Sequence, residues 1–70
     1  MKPGVPDLHL PIARGKYIGM YIEMKVSPNT CTEKQLLWMA ALRAEGHYCV
    51  VAYSWHEARE QIVAYMEERV

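Results

Sequence analysis

Glu23-Met24-Lys25 sets a carboxylate and an amine two positions apart, and Asp7 supplies a second carboxylate upstream. Carboxylate oxygens of this kind hold hard divalent cations such as Mg²⁺ or Mn²⁺. A cation held there makes a water nucleophilic and neutralises the charge that develops on a phosphodiester. A nearby ammonium orients that water or stabilises the charged transition state. Asp7, Glu23 and Lys25 therefore have the residue types for metal-assisted phosphodiester hydrolysis. Alternation of charged residues on a solvated strand face also produces an E-x-K pair, so the elements that carry these residues decide what the set means.

Residues 17–26 alternate with the two-residue period of a strand: Ile18, Met20, Ile22, Met24 and Val26 share one face, and Tyr17, Gly19, Tyr21, Glu23 and Lys25 share the other. Glu23 and Lys25 thus point the same way, roughly 7 Å apart at ~3.3 Å per residue. Pro6 to Leu10, hemmed in by Pro3, Pro6 and Pro11, is too short for a helix and reads as a strand. Ile12 to Lys16 connects the two, with Arg14-Gly15-Lys16 as the turn, which makes an antiparallel hairpin. The hairpin brings Asp7 within short range of Glu23.

Thr32 followed by Gln35 is a capping-box pattern that opens a helix running to about Glu45, with Gly46 as its stop; Thr30 with Glu33 is an alternative start two residues earlier. Leu37, Ala40, Ala41 and Ala44, widened by Trp38 and Leu42, form the stripe expected to pack on the sheet. The continuously apolar run from Tyr48 to Tyr53 predicts a strand covered on both faces and central in the sheet. Ser54 with Glu57 caps a last helix whose apolar face is Ala58, Ile62, Tyr65 and Met66. The order is β-β-α-β-α, an α/β sandwich in one folding unit, residues 1–70.

A chain of 70 residues buries only about 60% of the surface its unfolded form exposes, so self-association is a natural source of stability and a homodimer is expected. Half the residues are hydrophobic, too many for a disordered chain. No apolar run reaches the roughly 18 residues of a membrane span, and no signal-peptide core follows Met1, which predicts a soluble intracellular protein. Cys31 and Cys49 lack metal-ligand spacing and read as buried, unpaired thiols. Net charge is zero, which does not announce a nucleic-acid binder. Its distribution is uneven: Lys2, Arg14, Lys16, Lys25, Lys34 and Arg43 face only Asp7, Glu23 and Glu33 before residue 44, whereas five glutamates crowd the remainder. A basic surface around the candidate site is compatible with phosphate contacts.

Gly4-Val5-Pro6-Asp7-Leu8, then Gly19-Met20-Tyr21-Ile22-Glu23-Met24-Lys25, then Thr32-Glu33-Lys34-Gln35 resembles the VRR-NUC family of the PD-(D/E)xK nuclease superfamily. The resemblance covers nearly all the chain. It implies a restriction-endonuclease-like core with a mixed sheet flanked by helices, and DNA endonuclease activity dependent on Mg²⁺ or Mn²⁺. It implies metal coordination by Asp7, Glu23 and the backbone carbonyl of Met24, with Lys25 acting at the nucleophile and Gln35 positioning water or phosphate. Gln35 reads equally well as a simple helix cap. Family members usually carry an upstream helix with a further acidic residue; this sequence starts six residues before Asp7, so that element is expected from elsewhere, a neighbouring subunit or a longer chain. VRR-NUC domains occur alone in phages and bacteria and fused in repair proteins, and standalone members resemble dimeric Holliday-junction resolvases. Branched or junction DNA is the substrate this implies, with a non-catalytic DNA-binding or protein-interaction module as the alternative.

Several residues admit two readings. His9 shares a face with Asp7 and could add a ligand, or is a partly exposed strand histidine. Arg14 and Lys16 either touch the DNA backbone or form an ordinary solvated turn. His47 and His56 read as surface residues. Trp38, Trp55 and the tyrosines read as core or dimer interface rather than base-stacking groups, and Met20, Met24, Met39 and Met66 as core filler.

Overall fold

The computed structural model describes residues 6–70. Gly4 and Val5 of the Gly4-to-Leu8 motif lie outside the described residues. The elements are β1 (Leu8–Leu10), β2 (Gly19–Met24), α1 (Glu33–Ala44), β3 (His47–Ala52) and α2 (Trp55–Met66), the β-β-α-β-α order read from the sequence. β1 runs antiparallel to β2, with Leu8 opposite Ile22 and Leu10 opposite Met20. β3 runs parallel to β2, with Gly19 opposite His47 and Met24 opposite Ala52. A parallel neighbour requires a crossover, and α1 provides it. The sheet is mixed, in the order β1-β2-β3.

Both strands of the hairpin are shorter than their sequence pattern. Tyr17 leaves β2 because its N–H and C=O are exchanged with Arg14 at 2.9 and 3.0 Å. Gly15 takes φ +55° inside that turn, a conformation glycine adopts without steric cost. At the other end Val26 is 75% exposed and lies beyond the strand. The expectation that residues 48–53 form the central strand is corrected: β2 is central and β3 lies at the edge among the described residues. Helices contact β3 from both faces, and its apolar run reports that coverage rather than its lateral position.

The main core lies between α2 and one face of the sheet. Met20, Ile22, Ala52, Ala58 and Tyr65 are buried there, with Leu8, Leu10, Val50, Ile62 and Met66 packed around them. Ser54 caps α2 by accepting the Glu57 N–H at 3.0 Å. The Tyr65 hydroxyl, at the other end of α2, donates to the carbonyl of Ile12 and ties the hairpin connection to that helix.

α1 covers the opposite face, rotated from the expected orientation. Leu37 is 63% exposed, and Ala40, Ala41 and Ala44 are also exposed. The inward side is Met39, fully buried, with Gln35, Trp38 and Leu42 half-buried. Gln35, Met39 and Leu42 follow helical spacing, but the stripe opens on a polar residue, and an apolar-pattern reading passes over it. Gln35 faces the sheet because it is engaged there.

Candidate active site

The face of the sheet beneath α1 carries the candidate residues. Gly19, Tyr21 and Glu23 of β2 lie on it, with His9 of β1 beside Tyr21. Glu23 is only 3% exposed, a costly place for a carboxylate unless charge or hydrogen bonds compensate it. One oxygen is compensated: Oε2 accepts the Gln35 Nε2–H at 3.1 Å and lies 3.9 Å from Lys25 Nζ. The other, Oε1, is buried without a partner.

Gln35 reaches Glu23 because the capping box fixes it. Its backbone N–H donates to Thr32 Oγ1 at 3.2 Å, and its Oε1 accepts the Thr32 N–H at 2.8 Å. The side-chain carbonyl is thus consumed by the cap, and the amide N–H₂ is turned toward Glu23. One side chain thus serves the cap and also reaches Glu23.

Asp7 is held from the other side. Its Oδ2 accepts the backbone N–H of Met24 at 2.9 Å. Continuing the β1–β2 register by two residues sets Pro6 opposite Met24, and proline has no N–H to return to the Met24 carbonyl. In an antiparallel ladder the N–H and C=O of one residue face the same neighbour. The Met24 carbonyl is therefore directed to the side where Asp7 sits. Lys25 points its backbone the opposite way, its N–H donating to the Ala52 carbonyl at 2.9 Å. The Pro6-Asp7 pair thus ends the ladder and opens a position bordered by the Asp7 carboxylate, the Met24 carbonyl and Glu23.

Burial pushes the Glu23 carboxyl above the ordinary range, the Asp7 carboxylate beside it pushes further, and the Lys25 ammonium opposes both. Two acidic groups at close range with one buried, unpartnered oxygen form an arrangement that a cation relieves. The donors are hard oxygens, which fit Mg²⁺ or Mn²⁺. No group of three or more His, Cys, Asp or Glu converges among the described residues. A cation here would rest on two carboxylates, a carbonyl and water, a set suited to Mg²⁺, which retains several waters.

The remaining candidates divide. His9 is on the Asp7 face, and its ring lies flat on Tyr21, centroids 4.2 Å apart and planes 5° from parallel. His47, expected at the surface, is half-buried in β3 with Nδ1 3.1 Å from the Leu42 carbonyl. Arg14 and Lys16 sit beyond the amino end of β2, roughly 20 Å along the strand from Glu23. Arg14 is turned inward, donating to the Met66 and Ala13 carbonyls at 3.3 and 2.8 Å, whereas Lys16 is exposed. Tyr17, Tyr48 and Tyr65 form an aromatic cluster with centroids 5.1 to 6.3 Å apart, as a packing role requires. Trp55 is not in the core: it is 70% exposed, and Tyr53 is 41% exposed. Of the two roles expected for Trp55, core or interface, only the first is excluded. It stands at the first position of α2. Cys49 is buried and Cys31 half-buried, both unpaired.

A mixed sheet between two helices, with two carboxylates and a lysine near the carboxyl end of its middle strand, defines a small α/β domain. The VRR-NUC domain model matches residues 1–56, and the chain belongs to the VRR-NUC family. A solved structure described as a VRR_NUC domain protein is similar to this chain, with a TM-score of 0.89 and 35% sequence identity over 96% of this chain and 56% of that one. The chain thus spans just over half the length of that protein. No curated protein matches it. No helix among the described residues is long and apolar enough to cross a membrane.

Proposed function

We propose that this VRR-NUC domain is a metal-dependent DNA endonuclease in which Asp7, Glu23 and the Met24 carbonyl hold Mg²⁺ or Mn²⁺. The observation that carries the reading is the Glu23 carboxylate, buried at 3% exposure with Oε1 unpartnered next to a second carboxylate. When bound, the cation supplies Lewis acidity and an activated water. Lys25 holds its ammonium beside Glu23 and is the catalytic amine, stabilising charge on the phosphate as it develops. Gln35 is a positioning residue: with its carbonyl committed to the cap, its amide fixes the Glu23 rotamer. Pro6 and Asp7 keep the Met24 carbonyl out of the ladder.

Branched or junction DNA as the preferred substrate and a homodimer as the working unit belong to the same proposal. The exposed Leu36, Leu37, Ala40, Ala41 and Ala44 on α1 support the dimer, since an apolar helix face in water is an association surface. A second reading, a nuclease-like module that binds DNA without cutting it, is favoured by the convergence of only two carboxylates among the described residues.

The test is incubation of the purified chain with a labelled four-way junction and the matching linear duplex, in Mg²⁺, Mn²⁺ or EDTA, beside Lys25→Ala. Metal-dependent cutting that Lys25→Ala abolishes is the expected result, with faster cutting of the junction. Binding without product in either metal would replace it with the second reading.

A further inference from the structure

Beyond Lys25 the sheet ends in a cleft of about 270 Å³ lined by Met24, Lys25, Val26, Tyr53, Ser54 and Trp55. Its apolar walls face water: Val26 is 75% exposed, Trp55 70% and Tyr53 41%. The backbone that presents Trp55 is fixed on both sides. The Tyr53 N–H donates to Glu57 Oε1 at 3.1 Å, and the Glu57 N–H donates to Ser54 Oγ at 3.0 Å. Trp55 thus lines the cleft from a hydrogen-bonded turn.

Lys25 belongs to two places at once. Its ammonium lies 3.9 Å from Glu23 Oε2, and the residue also lines this cleft. A ligand that fills the cleft while touching the candidate active site needs an anionic group for Lys25 and a flat apolar group for Trp55. A nucleotide has both, because its phosphate is an anion and every base offers a π-face to an aromatic side chain.

We propose that this cleft is a base-stacking subsite, in which an unpaired base next to the scissile phosphate stacks on Trp55. The inference rests on the endonuclease reading and specifies its substrate class: nucleic acid with at least one unstacked nucleotide at the cut. A base inside a continuous duplex keeps both faces stacked on its neighbours and cannot use the site without being extruded. Flaps and single strands present such a base at little cost.

The experiment measures binding of a labelled oligothymidylate and of a blunt duplex by anisotropy in EDTA and in Mg²⁺, for the unaltered chain, Trp55→Ala, Trp55→Phe and the cleavage-deficient Glu23→Gln. Trp55 emission is read in a Trp38→Phe background. The expected result is quenching of that emission by the oligothymidylate. Binding should weaken by about ten-fold or more in Trp55→Ala, with most of the affinity retained in Trp55→Phe. Unchanged emission at saturation, equal affinity of Trp55→Ala, absence of oligothymidylate binding, or conversion of a dimer to a monomer by Trp55→Ala would each overturn the proposal. Failure of catalysis alone is separable: a chain that cuts nothing yet shows Trp55-dependent stacking loses the endonuclease reading and keeps the subsite.

Discussion

Gln35 donates its side-chain amide to Glu23 Oε2 at 3.1 Å while its carbonyl accepts the backbone N–H of Thr32 at 2.8 Å. One side chain therefore couples the start of α1 to the candidate active site. The helix could not be rotated to bury Leu37 and the alanines without withdrawing that amide, so the site sets the packing angle of the helix as much as the core does.

Separating the two roles of Gln35 gives the first prediction. Thr32→Ala removes the cap acceptor and leaves the Glu23 contact, so it should cost about 1 kcal/mol of stability and leave cleavage by the folded fraction within a few-fold. Gln35→Ala should cost a similar amount of stability and lower kcat far more, because the Glu23 rotamer is freed. Chemical denaturation and single-turnover cleavage on both variants check this. Equal losses of kcat would show that Gln35 acts only as a cap.

Glu23 makes the metal-free domain sensitive to pH. Burial first, then the Asp7 carboxylate, hold its carboxyl above the ordinary glutamate range. A group whose folded pKa is raised contributes stability that is fully present below its unfolded pKa and is lost as pH rises through the folded value. Glu23→Gln should therefore raise Tm at neutral pH in EDTA, by about 4–8 °C for each kcal/mol in a domain of this size. The gain should shrink as pH falls toward the ordinary glutamate value. Mg²⁺ should stabilise the unaltered chain at neutral pH, and that benefit should fade on acidification through the raised Glu23 pKa. Calorimetry across pH with and without Mg²⁺ decides it. A variant no more stable than the parent in EDTA would refute the account.

The order of elements, both helix caps and the proximity of Asp7, Glu23 and Lys25 were legible in the sequence because each rests on short-range chemistry. Thr32 with Gln35 and Ser54 with Glu57 announce helix starts, and strict alternation orients Glu23 with Lys25. What escaped depends on contacts distant along the chain. The inward face of α1 begins with Gln35, whose burial is explained only by Glu23 from another element. The edge position of β3 was hidden because coverage by two helices gives any strand an apolar run. Core and interface could not be told apart for Trp55, because helical spacing does not show where along a helix the contact with the sheet begins.

Arg14 and Lys16 adjoin in sequence but should behave differently. Arg14 donates to the Met66 and Ala13 carbonyls, so Arg14→Ala should lower stability by about 1 kcal/mol and leave the salt dependence of DNA binding unchanged. Lys16 is exposed, its ammonium 5.4 Å from the Tyr17 ring centroid, and is placed to meet phosphate on the flank of a bound duplex. Lys16→Ala should weaken binding to all sequences alike and reduce the slope of log K against log salt by about 1. Binding titrations across salt, with thermal denaturation of the same variants, separate the two. A reduced salt slope in Arg14→Ala would return that residue to the DNA surface.

The exposed side of α1 offers the last test. Leu36 and Leu37 are 54% and 63% exposed, and Ala40, Ala41 and Ala44 continue the surface along the helix. Leu37→Glu removes apolar area from the centre of that face without touching Met39, Gln35 or Glu23, so the monomer fold should be unaffected. If two copies meet through α1, each would place a charge against its counterpart across the two-fold axis, and like charges in a desolvated contact strongly oppose association. Sedimentation velocity should show a dimer for the unaltered chain and a monomer for Leu37→Glu, with unchanged far-ultraviolet circular dichroism. Cleavage of a four-way junction should fall with dimer loss, since two cuts on opposing strands need two sites, whereas nicking of a simple substrate should persist. A monomeric unaltered chain, or a variant that remains dimeric, would remove α1 as the interface.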